Sequence, residues 1–276
     1  MLPREASHPP MMRLPPSINV LCAAAALLLT CPPAKAQEVE HPMPPYVDRL
    51  IERGDASDRT FDAVEALKDY LPAAKLDPTN PLLMARIARQ YRHLMSDATT
   101  RAEKLRLGEL SLVYAKKAAA LGPNDSEAQL SPAITYGKML PLQGTKEQVE
   151  NSPRIKAAAD KAIKLDPRND SAWHVLGRWH QVLANIGMLK RALGQLIYGT
   201  LPTSTNEEAV ACFEKAIEIN PHRLRHFIEL GRTYAQMGQT AKARRFLEKG
   251  LAMPDTEKDD PEMKTRGREA LAALPR

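Results

Sequence analysis

The sequence is poor in aromatic residues, which make up 5% of its 276 positions, and it holds only 3 cysteines. Alanine, leucine, lysine, arginine and glutamate dominate instead, a bias that favours helices over sheets. Cys22 and Cys31 fall in an N-terminal segment expected to be removed, so the mature chain carries Cys212 alone. That excludes an internal disulfide. Cys212 lies in a helical pattern beside Phe213 and reads as a small buried apolar residue. Also missing are G-x-S-x-G, H-E-x-x-H, a P-loop and a Gly-rich dinucleotide fingerprint. Acidic residues run along helix faces among Lys and Arg, as in EKAIE and FLEKG, the pattern of a solvated surface. The expectation is a non-enzymatic protein without a cofactor. The formal net charge of +6 is mild for this length. It admits an acidic partner but gives no reason to expect nucleic acid.

No apolar run is long enough to span a bilayer comfortably; the longest, Ile18 to Thr30, reads INVLCAAAALLLT. Arg13 precedes it as a positive n-region, and Ala34-Lys35-Ala36 supplies an A-x-A cleavage signal. Residues 1–36 are therefore expected to be a Sec-type bacterial signal peptide, making the protein exported, periplasmic or secreted. Translation from Met11 or Met12 would leave a conventional n-region. A lipoprotein signal at Leu28-Leu29-Thr30-Cys31 is the competing reading, and Thr before the Cys fits it poorly. Residues 37–45 form a Pro-rich linker, and helical patterning starts at 46.

What is present in abundance is a repeated helix ending. AAKLDPTN (73–80), AAALGPND (118–125), KAIKLDPRND (161–170), KAIEINPH (215–222) and KGLAMPD (249–255) each close an Ala/Lys/Leu-rich tail with a proline. Proline stops a helix and sets the next turn. Six residues beyond the first four prolines come Met84, Gln129, Trp173 and Phe227. Ile87, Pro132, Leu176 and Leu230 follow, then the small residues Ala88, Ala133, Gly177 and Gly231, then Tyr91, Tyr136, His180 and Tyr234. This is the W-x2-LG-x2-Y pattern of the first helix of a tetratricopeptide repeat, and Ala209, Phe213, Ala216 and Pro221 supply a matching second helix. The small residue lets paired helices approach, and the large ones fill the gap between pairs. The expected fold is all-α, a tetratricopeptide-like solenoid of about four to five helix pairs over 46–276. The tail at 257–276 is expected to be a capping helix.

The proline spacings are 45, 44, 54 and 33 residues, against a 34-residue unit. The third interval carries about twenty extra residues, between Ala184 and Thr203, so a helical insertion (IGMLKRALGQLIYG) splits one repeat. Gly199 and Pro202 end that insertion. Ser204 or Thr205 then caps the next helix, with Glu207 or Glu208 closing a capping box.

LGRW at 176–179, KRAL at 190–193, YGTLPTSTNEEA at 198–209 and the F-x-K-A-x-E-x-N-P tail resemble the regulator of microtubule dynamics family. In that family a similar LGRW precedes a long helical insertion, an FG-x-PP-x-STYEEAL motif and a last repeat starting LGK. Here Tyr198-Gly199-Thr200-Leu201-Pro202 stands for FG-x-PP, and Asn206 replaces the family's Tyr. The resemblance spans about 150–275, more weakly 46–149. It implies the fold and a ligand groove. Microtubule association, implied for eukaryotic members, is not expected of an exported bacterial protein.

The position after the small slot faces the concave side of such a solenoid. It holds Arg89, Arg178 and Arg232, with Ile134 in the degenerate repeat, and Arg92 and Arg225 fall on the same surface. Arginine grips carboxylate or phosphate in bidentate fashion. The expected partner is a protein or peptide, anionic in character, in this groove. The bland alternative pairs these arginines with Glu127, Glu229 or other local acids. A second function class is a lipid-binding or lipid-transfer module, with an anionic lipid against the insertion helix. His222 and His226 stand i, i+4, but no further ligand accompanies them and no metal is expected. Trp173 and Trp179 belong to the repeat pattern and are expected in the core.

Overall fold

The structure, a computed structural model, describes residues 44–187 and 202–275. The expected signal peptide (1–36), most of the expected linker, Gly199 and the body of the expected insertion lie outside the described residues. Among those described are eleven α-helices and no strand. In chain order they are α1 (Pro44–Arg59), α2 (Ala63–Leu76), α3 (Pro81–Asp97), α4 (Arg101–Leu121), α5 (Ser126–Met139), α6 (Thr145–Leu165), α7 (Asp170–Ala184), α8 (Asn206–Ile219), α9 (Leu224–Gln236), α10 (Thr240–Ala252) and α11 (Asp260–Ala272). They form five antiparallel pairs, α1/α2 to α9/α10, with α11 following.

The repeated proline turns end one helix and start the next. Asp77, Gly122 and Asp166 are the C-caps of α2, α4 and α6. Three residues on, Asn80, Asp125 and Asn169 cap α3, α5 and α7, accepting from Leu83 N at 3.0 Å, Ala128 N at 2.7 Å and Ala172 N at 3.0 Å. A free helix terminus leaves these amides without partners, so each cap removes a desolvation cost. At α8 the cap is Thr205. Its Oγ1 accepts from Glu208 N at 3.2 Å, while Glu208 Oε2 accepts from Thr205 N at 2.9 Å. Ser204 adds to the box by donating to Glu208 Oε2 at 2.8 Å.

Small residues set the spacing within pairs. A Cβ placed on Gly177 of α7 would meet the Phe213 ring of α8 at 2.9 Å, and one on Gly231 of α9 would meet Leu247 Cγ of α10 at 2.7 Å. Tyr70, Phe213, Phe227 and Leu230 are fully buried in the resulting core. Trp179 is buried, its Nε1 donating to Ser152 O at 3.0 Å. Trp173 is only half-buried and donates to Pro167 O at 2.9 Å. Cys212 is buried, and that burial pushes its thiol pKa up to about 12.

The long early intervals are spent on helix length: α4 and α6 run 21 residues each, against 13 for α10. The third excess lies between Ala184 and Asn206, where the spacing placed it. Helix α11 covers the last pair: Met263, Ala270 and Leu271 pack on Leu224, Ile228 and Leu247. The segment before it does more than cap, because it runs back across the face formed by the first helices of the pairs.

Candidate concave binding groove

The first helices of successive pairs line one face of the solenoid, and two adjoining cavities open on it. The first, about 440 Å³, is walled by α1, α3, α5 and the start of α9 and includes Arg86, Arg89, Arg92, Lys138 and Arg225. The second, about 350 Å³, is more apolar, with Leu140, Ile155, Val175 and Met263 beside Arg178 and Arg266. Lys138, Arg225 and Asp259 belong to both.

Of the arginines expected here, each has a different situation. Arg89 is half-exposed and pairs with Asp58 of α1. Arg92 is 8% exposed, so the sequence-based picture of a surface arginine needs correcting. Its Nη1 donates to Thr135 Oγ1 at 3.2 Å and Ser131 Oγ at 3.4 Å, both on α5. Among the described residues no carboxylate comes within ion-pair distance of it. Burial, together with neighbouring Arg89, lowers its pKa to about 10, so it remains a cation at neutral pH.

Arg225 donates from Nη2 to Ser171 Oγ at 2.8 Å, while its Nε is buried without a hydrogen-bond partner. Burial and then Arg223 lower its pKa. His93, in the same wall, also has a buried Nδ1 without a hydrogen-bond partner, 3.8 Å from Asp58 Oδ1. Unmet buried polar atoms are unusual in native proteins; those of Arg225 and His93 border the first cavity, whereas a third, Gln90 Oε1, does not.

Arg178 and Arg232 occupy equivalent positions in neighbouring repeats, yet one carboxylate holds both. Glu229, 1% exposed, lies 2.9 Å from Arg178 Nη1 and 2.8 Å from Arg232 Nη1. Burial alone would raise the Glu229 pKa; Arg178, Arg232 and Arg266 together hold it below the ordinary value. Arg232 lines neither cavity. Glu127 lines the first cavity.

His222 is exposed while His226 is fully buried, so the two do not converge. His226 Nε2 instead donates to Asp170 Oδ2 at 2.9 Å, leaving Nδ1 to accept from His174 Nδ1 at 3.0 Å. This neutral relay joins α7 to α9. Among the described residues no group of His, Cys, Asp or Glu is arranged to hold a metal.

Sequence reasoning missed Ser96, Lys138, Arg223, Glu257 and Asp259. Asp259 Oδ1 accepts from Ser96 Oγ at 2.6 Å, and its Oδ2 lies 2.7 Å from Lys138 Nζ. Glu257 Oε1 lies 3.3 Å from Arg223 Nη2. Burial pulls the Asp259 pKa upward, but Lys138 and Ser96 hold it below the usual carboxylate range. The site therefore contains carboxylates from the chain's own C-terminal segment.

Paired helices with small residues at the close approach, stacked so that their first helices build one groove, define a tetratricopeptide-type α-solenoid. A thermophilic TPR protein of Thermus thermophilus has a similar fold: TM-score 0.57 and 15% identity, covering 82% of this chain and 99% of that one. The chain belongs to the regulator of microtubule dynamics protein 1-3 family, whose model matches residues 46–275. It is 29% identical to the mouse regulator of microtubule dynamics protein 1 over 70% of this chain and 64% of that protein. With the bovine protein 1 the identity is 27%, over 86% of this chain and 73% of that one. The alignment thus leaves about a third of the mouse relative's length unmatched.

Proposed function

We propose that this family member is a non-enzymatic scaffold that binds an acidic protein segment in its concave groove. The observation that carries this reading is Arg92, a buried cation at the cavity wall whose side-chain partners are hydroxyls rather than a carboxylate. Taking a guanidinium out of water costs several kcal/mol unless an anion compensates it. A ligand carboxylate would supply that anion, and Lys138 and Arg225 would share the load. The test is fluorescence anisotropy with a labelled peptide rich in Asp and Glu. Wild-type protein should bind it in a salt-sensitive manner, and Lys138→Gln should weaken binding while leaving the fold intact, since Lys138 is partly solvated. Binding indifferent to salt and to that change would remove the reading.

The second cavity favours a second reading, a bound anionic lipid. Its wall combines Leu140, Ile155, Val175 and Met263 with Arg178 and Arg266, and it includes Val182 and Leu183 at the end of the helix that leads into the insertion. Native mass spectrometry of gently extracted protein would reveal a co-purifying lipid mass in that case and the bare polypeptide otherwise. We further propose export with cleavage after Ala36; N-terminal sequencing of the mature protein should begin at Gln37.

A further inference from the structure

The segment between α10 and α11, MPDTEKD at 253–259, lies against the groove, where Glu257 and Asp259 line the first cavity. Asp260 shapes it: its buried carboxylate accepts from Thr256 N at 2.7 Å and Glu257 N at 2.8 Å. This closes a tight acidic turn and splays the side chains of Glu257 and Asp259 onto the groove wall. Asp259 reaches the final turns of α3 and α5 through Ser96 and Lys138, and Glu257 reaches Arg223. The residue between them, Lys258, pairs with Asp97 at 2.8 Å.

The segment's attachment to the groove is through side chains. Its backbone amides bond only within 250–260, as Met253 N to Gly250 O at 3.3 Å and Asp260 N to Glu257 O at 3.0 Å. Its ion pairs are partly solvated, with Asp259 44% and Glu257 38% exposed at the side chain. Pairs of that kind contribute little individually. The turn itself is anchored by buried Asp260 and by α11, whereas its grip on the groove is weak and replaceable.

We infer that residues 255–259 are an internal stand-in for the groove's ligand, an acidic peptide presenting carboxylates two residues apart, as Glu257 and Asp259 do, to Arg223 and to Lys138 with Ser96. The inference rests on the groove reading above and adds to it the ligand's spacing and a competitor. An incoming acidic segment must displace the strap, so the groove's apparent affinity is reduced by the fraction of time the strap is bound. Release of both strap carboxylates would free Lys138 and one guanidinium nitrogen of Arg223 beside Arg92 and Arg225, while Arg223 Nη1 stays 3.1 Å from Asp170 Oδ2.

The experiment uses the full chain and a fluorescein-labelled peptide with the sequence of residues 253–260. Wild type, Glu257→Gln with Asp259→Asn, and Lys138→Gln are compared by anisotropy at low salt, with thermal unfolding to confirm folding. The strap variant should bind about fivefold tighter or better than wild type. Equal binding by wild type and strap variant, lost in Lys138→Gln, would overturn the strap and leave the groove reading standing. Weaker binding by the strap variant would overturn it too, making the strap part of the site. No binding by any of the proteins would overturn both.

Discussion

Glu229 Oε2 lies 2.9 Å from Arg178 Nη1, joining α7 to α9 across the repeat boundary. The same carboxylate holds Arg232, and its side chain is 1% exposed. Two arginines in equivalent sequence slots are thus neutralised by one buried acid. Glu229→Gln should leave two partly buried cations without a counter-charge and destabilise the fold by about 3–5 kcal/mol. Urea unfolding measures this. A loss within experimental error would mean that the pair is solvated enough to be dispensable.

Gly177 and Phe213 make the corresponding test of packing. A Cβ at 177 would sit 2.9 Å from the Phe213 ring, so Gly177→Ala should cost about 1–3 kcal/mol through overpacking. Phe213→Leu creates space in the same place. The double variant should therefore lose less than the sum of the single losses, and strict additivity would show that the two residues do not oppose one another.

Buried histidines make stability depend on pH. Burial and then nearby Arg225 lower the His226 pKa to about 4, although its hydrogen bond to Asp170 pulls the other way. Burial, with Arg92 and Arg89 nearby, also brings His93 to about 4 against the pull of Asp58. Between pH 6.5 and about 4 the unfolded chain takes up protons that these folded-state groups refuse. The unfolded state then binds more protons, so stability is complete above pH 6.5 and falls as the pH drops through this window. Thermal midpoints measured from about pH 7 to pH 4 should decline. His226→Gln should flatten the decline while lowering the midpoint at neutral pH.

Thr205→Ala removes a hydroxyl that accepts from Glu208 N at 3.2 Å. It should cost about 1 kcal/mol, read as a drop in thermal midpoint. Ser204→Ala, which removes a hydroxyl bonded to Glu208 and to His180 Nδ1 but leaves the Thr205 cap in place, should cost less.

Much of this architecture was legible because it is local. The Pro-anchored tails carry both the stop of one helix and the cap of the next, and the small slots at Gly177 and Gly231 sit where helices must touch. The capping box at Thr205 and Glu208 is written within four consecutive residues. The groove was less legible. Arg92 looked like a surface residue because the hydroxyls that allow its burial, Ser131 and Thr135, flank Pro132 in the repeat that departs most from the pattern. Asp259 gave no signal at all. Its turn has no helical periodicity, and its partner Ser96 is 163 residues away in the chain, so only the curvature of the whole solenoid brings them together.

The proposed binding of acidic segments on the concave face at Arg92 and Lys138 is tested by hydrogen exchange of the full chain, with and without a saturating Asp/Glu-rich peptide. The expected result is slowed exchange in the last turns of α3 and α5 and at the start of α9, removed by added salt. Slowing confined to the second helices α4, α6 and α10, or none anywhere, would contradict binding in the groove.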